Sequence, residues 1–166
     1  MRDIRQLHPQ LQLKIAELKA LCDKVGLKMV IGECLRTVAE QDALYAQGRT
    51  RPGIRVTNAP GRTYSSQHQW GIAFDFYRGD GKGAYDDSDN FFGRVGALAK
   101  QIGLGWGGDW KSPVDKPHVY LPKWGSTTSV LRSTYGTPDK FIRTWDRAVL
   151  NFRIGGRYQT TKPCYL

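Results

Sequence analysis

Apolar residues at Leu11, Ile15, Leu18, Cys22 and Val25 recur at the spacing of one face of an α-helix. Pro9 suits the first helical position and Gly26 closes the run. Residues 28–34 read as a short strand, being rich in apolar and β-branched side chains. Thr37-Val38-Ala39-Glu40 has the form of a capping box and predicts a helix running to about Gln47, before Gly48. Residues 48–66, crowded with Gly, Pro, Thr, Asn and Arg, predict a long loop of the kind that usually carries function. From 71 to 77 the pattern alternates: Ile72, Phe74 and Phe76 face one way, and Ala73, Asp75 and Tyr77 the other. A polar stretch with four aspartates, 78–89, reads as a solvated loop. Helical spacing returns with Phe92, Val95, Leu98 and Ile102, and short strands are expected around 105–107 and 117–121. Thr137-Pro138-Asp139 starts a last amphipathic helix through Phe141, Ile142, Trp145 and Val149.

Composition narrows the class. A chain of 166 residues with 40% hydrophobic content can bury one core without staples. No apolar run reaches the roughly 18–20 residues that span a bilayer. The start, Met1-Arg2-Asp3-Ile4-Arg5, lacks the apolar stretch of a secretory signal, so synthesis in the cytoplasm is expected. Cys22, Cys34 and Cys164 form no CxxC pair, and an odd count argues for reduced thiols rather than a disulfide framework. The formal net charge is +10, of which residues 122–166 supply +6. Arg49, Arg51, Arg55 and Arg62 make a second basic stretch without an acid. Such surfaces suit polyanions, or they are solvated faces that aid solubility. Nothing in them resembles a nucleic-acid-binding motif, and no nucleic-acid partner is expected.

Three turn-rich segments carry metal-ligating groups: Ser66-Gln67-His68, Ala73-Phe74-Asp75 and Asp115-Lys116-Pro117-His118. Two neutral imidazoles and a carboxylate leave one tetrahedral position of a zinc ion open, which distinguishes a catalytic site from a structural one. The chain has three histidines, and His8 lies outside any such pattern. Taken singly, each residue also reads as an ordinary hydrogen-bonded histidine or an ion-paired aspartate. Asp115, three residues before His118, can lie beside the metal's open position and act as general base.

Taken in order, Ser66-x-His68-x-x-Gly71-x-Ala73-x-Asp75, Trp106-Gly107-Gly108-Asp109-Trp110 and Asp115-x-Pro117-His118 resemble the D-Ala-D-Ala carboxypeptidase/L-alanyl-D-glutamate endopeptidase family of zinc peptidases. Leu35-Arg36-Thr37, Glu40-Gln41 and the run from Leu44 to Thr50 match as well, closest to the phage-endolysin-like branch. The resemblance implies one zinc per chain on His68, Asp75 and His118, with Asp115 as catalytic base. It implies Arg36 as the group that steadies a substrate carboxylate or oxyanion, and Ser66 as substrate-binding. Gln41 is expected to bind substrate as well, and Trp106 to wall the cleft or to belong to a packed turn. Arg36 also reads as a structural ion-pair partner, and Ser66 as a turn cap. Asp109 is expected to orient a ligand histidine, or to belong to a packed turn. The implied fold is α+β and D,D-peptidase-like (hedgehog-like): a small, largely antiparallel sheet, helices on one side, and zinc in a cleft across it.

The expected function is hydrolysis of the L-Ala–D-Glu bond of the peptidoglycan stem peptide, with D-alanyl-D-alanine carboxypeptidase as the alternative. Release to the wall would follow holin action, and a monomer is expected. Residues 1–124 are expected to form the catalytic core. Residues 125–166 would be a basic extension packed on it and a candidate for adhesion to anionic wall polymers.

Overall fold

The computed structural model describes residues 2–145, together with the backbone of a short ribbon that pairs Arg153–Ile154 with Arg157–Tyr158. Val149 and Cys164 lie outside the described residues. Helix α1 spans Pro9–Lys24; its N-cap, His8, accepts a hydrogen bond from the Gln10 N–H, and Leu11, Ile15, Leu18 and Cys22 are buried. Val25, expected on that apolar face, is instead 51% exposed. The helix ends at Lys24, and the Val25 N–H turns back onto the carbonyls of Cys22 and Asp23, which swings its side chain off the buried face.

Strand β1 covers Met29–Ile31, shorter than predicted. Beyond it Gly32 N–H donates to the Asp75 carbonyl at 2.7 Å, whereas Asp75 N–H donates to Glu33 at 2.8 Å. Two residues thus oppose one, a bulge that breaks the regular ladder beside Asp75. Helix α2, Val38–Ala46, starts at the predicted capping box: the Thr37 hydroxyl accepts from Glu40 N–H, and the Glu40 carboxylate accepts from Thr37 N–H.

Strand β2, Ala73–Arg78, is the long strand of the sheet. With helix α3 at Phe91–Gln101, β3 at Gly105–Trp106 and β4 at His118–Tyr120, the fold acquires a four-stranded antiparallel sheet in the order β1-β2-β4-β3. This is the α+β arrangement expected. Alternation along β2 sends Phe74 and Phe76 into the core, where Phe76 meets Phe91 and Phe92 of α3 at 6.2 and 5.3 Å between ring centroids. The opposite face of β2 and β4 carries Asp75 and His118 as direct cross-strand partners.

The loop 78–89 is more than a solvated turn. Arg78 points to the core face, and its side chain is 1% exposed. A buried guanidinium without anions would be strongly destabilising, and Asp80, Asp86 and Asp89 fold back onto it at 2.6, 3.3 and 2.9 Å. Two short helices follow the sheet, α4 at Ser129–Tyr135 and α5 at Pro138–Ile142. They bury Leu131 and Phe141 in the same core cluster as α1 and β2. Among the described residues no helix is long and apolar enough to cross a membrane.

Candidate metal centre

The register of β2 and β4 does most of the assembly. Because Asp75 pairs with His118, their side chains leave the sheet on one face, side by side. His68 arrives from the 3-10 turn Gln67–Trp70, which Gly71 closes in a left-handed conformation (φ 65°) that favours glycine. Asp75 Oδ1 lies 3.2 Å from His68 Nε2 and 3.1 Å from His118 Nδ1. One ligand atom from each residue falls within 4.8 Å of the others.

The remaining ring nitrogens set the tautomers. His68 Nδ1 donates to the Cys34 carbonyl at 2.9 Å, and His118 Nε2 donates to Gln67 Oε1 at 2.8 Å. Both rings then present bare lone pairs to the Asp75 carboxylate, an arrangement that repels unless a cation sits among them. Two imidazoles and one carboxylate with a fourth side open to a cleft fit the donor set of a catalytic zinc ion.

The cleft has a volume of about 630 Å³, and Arg36, Ser66, Asp115 and Trp110 line it beside His68, Asp75 and His118. Asp115 is held by its own backbone: its N–H donates to the Gly107 carbonyl at 3.0 Å, and its carbonyl accepts from His118 N–H at 3.2 Å. A Cβ on Gly107 would collide with the Asp115 carbonyl, so glycine there lets the Asp115–His118 turn seat closely. Burial pushes the Asp115 carboxyl up, and the nearby Asp75 charge adds to this. Arg36 is 9% exposed; its Nη1 donates to Gln41 at 2.8 Å and its Nη2 lies 3.9 Å from Asp75 Oδ2. Ser66 precedes the His68 turn, and its hydroxyl makes no capping bond there.

Three expected site residues stand elsewhere. Gln41 is fully buried; its Oε1 accepts from Arg36, and its Nε2 donates to Thr57 Oγ1 and the Ala59 carbonyl, so it has no reach to a substrate. Trp106 does not line the cleft: its Nε1 donates to the Lys116 carbonyl at 2.7 Å and Lys100 lies over its ring. Asp109 orients no histidine, because its carboxylate takes Lys100 of α3 at 2.9 Å. The aromatic wall is Trp110, whose ring centroid lies 5.0 Å from that of His118. Gln67 and Trp110 carried no distinguishing signal in the sequence, one being a neutral neighbour of His68 and the other one of two tryptophans in the same motif.

Residues 60–121, which hold His68, Asp75, Asp115 and His118, match the sequence profile of a family described as D-alanyl-D-alanine carboxypeptidase. The chain is 39% identical over 124 residues to the peptidoglycan L-alanyl-D-glutamate endopeptidase CwlK of Bacillus subtilis (strain 168), covering 69% of this chain and 73% of that protein. The chain belongs to this peptidase family. It is also 35% identical over 100 residues to the L-alanyl-D-glutamate peptidase of Listeria phage A118, covering 57% of this chain and 30% of the phage protein. The fold matches that of the vancomycin-resistance D,D-pentapeptidase VanY in complex with Zn(II), with a TM-score of 0.52 at 15% identity, over 69% of this chain and 72% of that one. The chain is a member of this family of metallopeptidases, and its His68, Asp75 and His118 group lines the cleft described above.

Proposed function

We propose that this chain is a zinc-dependent peptidoglycan hydrolase that cleaves the L-Ala–D-Glu bond of the stem peptide. The observation that carries the hydrolytic reading is the convergence of two lone-pair imidazoles and the Asp75 carboxylate beside a second, separately held carboxylate, Asp115. The choice of bond is supported by the two relatives, both of which are L-alanyl-D-glutamate peptidases by name.

His68 through Nε2, Asp75 through Oδ1 and His118 through Nδ1 are the groups that would hold one zinc per chain. When bound, zinc polarises the scissile carbonyl and activates the attacking water. Asp115 takes the proton from that water and passes it to the leaving amine nitrogen; a carboxyl raised by burial is better matched to both tasks. Arg36, fixed by Gln41 at the cleft wall, offers its forked donors to the oxyanion or to a substrate carboxylate. The Ser66 hydroxyl at the cleft edge aligns the peptide backbone. The phage origin of one relative supports synthesis in the cytoplasm of a host and action on the wall, and release by a holin is part of the same proposal. A monomer suffices, since every site residue comes from this one chain.

Mass spectrometry of digested peptidoglycan tests the reading. Zinc-loaded protein is expected to release fragments with a new N-terminal D-Glu, and Asp115→Asn to lower the rate by about 10²–10⁴-fold with zinc content unchanged. Loss of terminal D-Ala without internal scission would identify a carboxypeptidase instead, and an untouched stem peptide would sink both.

A further inference from the structure

The segment from Ala43 to Phe74 holds four arginines, Arg49, Arg51, Arg55 and Arg62, and no Asp, Glu or Lys. The structure turns this segment into a firm rim. Arg49 lies 4.0 Å above the Tyr45 ring and donates to the Tyr45 carbonyl at 2.7 Å and to Asn58 Oδ1 at 3.0 Å. Gly48 N–H donates to the Arg51 carbonyl at 2.8 Å, and Gln41 pins Thr57 and Ala59 from beneath. With Arg49 spent on that scaffold, Arg51, Arg55 and Arg62 are left exposed. None of the three has a carboxylate partner among the described residues. Between them Ile54 and Val56 are 76% and 51% exposed, and residues 56–59 line the cleft directly. A cationic, partly apolar strip therefore runs into the mouth of the site.

We propose that this rim docks a phosphodiester polymer attached to the cell wall, holding the wall against the cleft; the proposal rests on the wall-hydrolase reading above. Guanidinium forks match phosphate oxygens in pairs, which a lysine ammonium does not. All four cations of the segment are arginines, although the chain as a whole carries many lysines. Stem-peptide carboxylates have their own cation inside the cleft, Arg36, which leaves the outer arginines to a polymer running alongside. Nucleic acid shares the phosphodiester chemistry, but a strip continuous with a peptidase cleft favours a polymer that lies beside the peptide. Gln41 joins the two regions, bonded to Arg36 on one side and to residues 57 and 59 on the other, so an occupied rim also braces Arg36.

The test is co-sedimentation of the full chain with Gram-positive cell walls, before and after hydrofluoric acid strips their phosphate polymer. Intact walls should bind the protein at least ~10-fold better than stripped walls at low salt, with the difference fading steeply as salt rises. The triple variant Arg51→Gln, Arg55→Gln, Arg62→Gln should lose that advantage while melting within a few degrees of the parent. The corresponding triple Lys variant should recover part of the binding, showing that the loss reflects charge and not misfolding. Equal binding to intact and stripped walls, or an unaffected Gln variant, overturns the proposal. So does a Gln variant that loses binding to DNA-cellulose yet keeps wall binding, which would make the rim a nucleic-acid surface. Cleavage of a short soluble muropeptide is read in parallel: its absence from the parent protein counts against the hydrolase reading, while the wall-binding arms count for or against the rim.

Discussion

Gln67 shows how a residue without chemistry of its own shapes a candidate metal site. Its Oε1 accepts the His118 Nε2 proton at 2.8 Å and so keeps the Nδ1 lone pair aimed at Asp75. The carbonyl of Cys34 does the same for His68, but a backbone oxygen cannot be mutated away. Gln67→Leu should weaken zinc binding by about 10–100-fold in a chelator competition, the usual cost of losing such an orienting bond. Gln67→Glu keeps an acceptor and should keep zinc. Equal zinc affinity in the Leu variant would show that packing alone holds the ring. At this scale the sequence was informative about donors and silent about their orientation. Scarcity singled out His68 and His118 among three histidines. Nothing in residue order could show that Asp109 would be taken by Lys100, or that Cys34 would supply the orienting carbonyl. Those choices depend on how α3 and β1 pack, which is long-range information.

Periodicity read the longer elements well: α1, α2, α3 and β2 lie where apolar spacing and caps place them. It overran β1, because the residues after Ile31 keep a strand-like composition while the bulge at Gly32 and Glu33 ends the regular pairing. It missed α4, whose seven residues bury only Leu131 and so leave no repeating stripe. The start of α1 holds a consequence for stability. His8 caps the helix through a ring nitrogen and packs against Trp124, Phe141 and Trp145, at 5.4, 6.0 and 5.3 Å. Burial, with Lys123 nearby, depresses its pKa from 6.5 to about 4. The folded protein therefore favours neutral His8, and this contribution is fully present above about pH 6.5 and is lost as pH falls toward 4. Between pH 7 and pH 5 the loss should be about 2 kcal/mol, seen as a lower urea midpoint. His8→Asn retains a cap but does not titrate, and should flatten that part of the profile. A parent whose urea midpoint is unchanged across the window would contradict this account.

At the scale of the whole molecule, the question is whether the chain beyond the last strand of the sheet is an appendage or part of the catalytic unit. Phe141 is 2% exposed and Leu131 fully buried, both within the core cluster that contains Leu11, Trp70 and Phe74. Trp145 packs over Gly71, where a Cβ would meet its ring at 2.8 Å, and Gly71 closes the turn that delivers His68. The helices after the sheet thus brace the backbone behind His68, and composition could not show it because their cations are outward and their anchors few. Phe141→Ala should cost about 3–5 kcal/mol in chemical denaturation, as expected for a large aromatic removed from a packed core. A chain ending at Trp124 removes that anchor together with Leu131 and Trp145, and exposes the apolar surface they cover. It should therefore lose its cooperative unfolding transition and its tight zinc binding together. A truncated chain that still unfolds cooperatively and retains zinc would mean instead that residues 125–145 are a detachable layer, and that α1, α3 and the sheet alone carry the site.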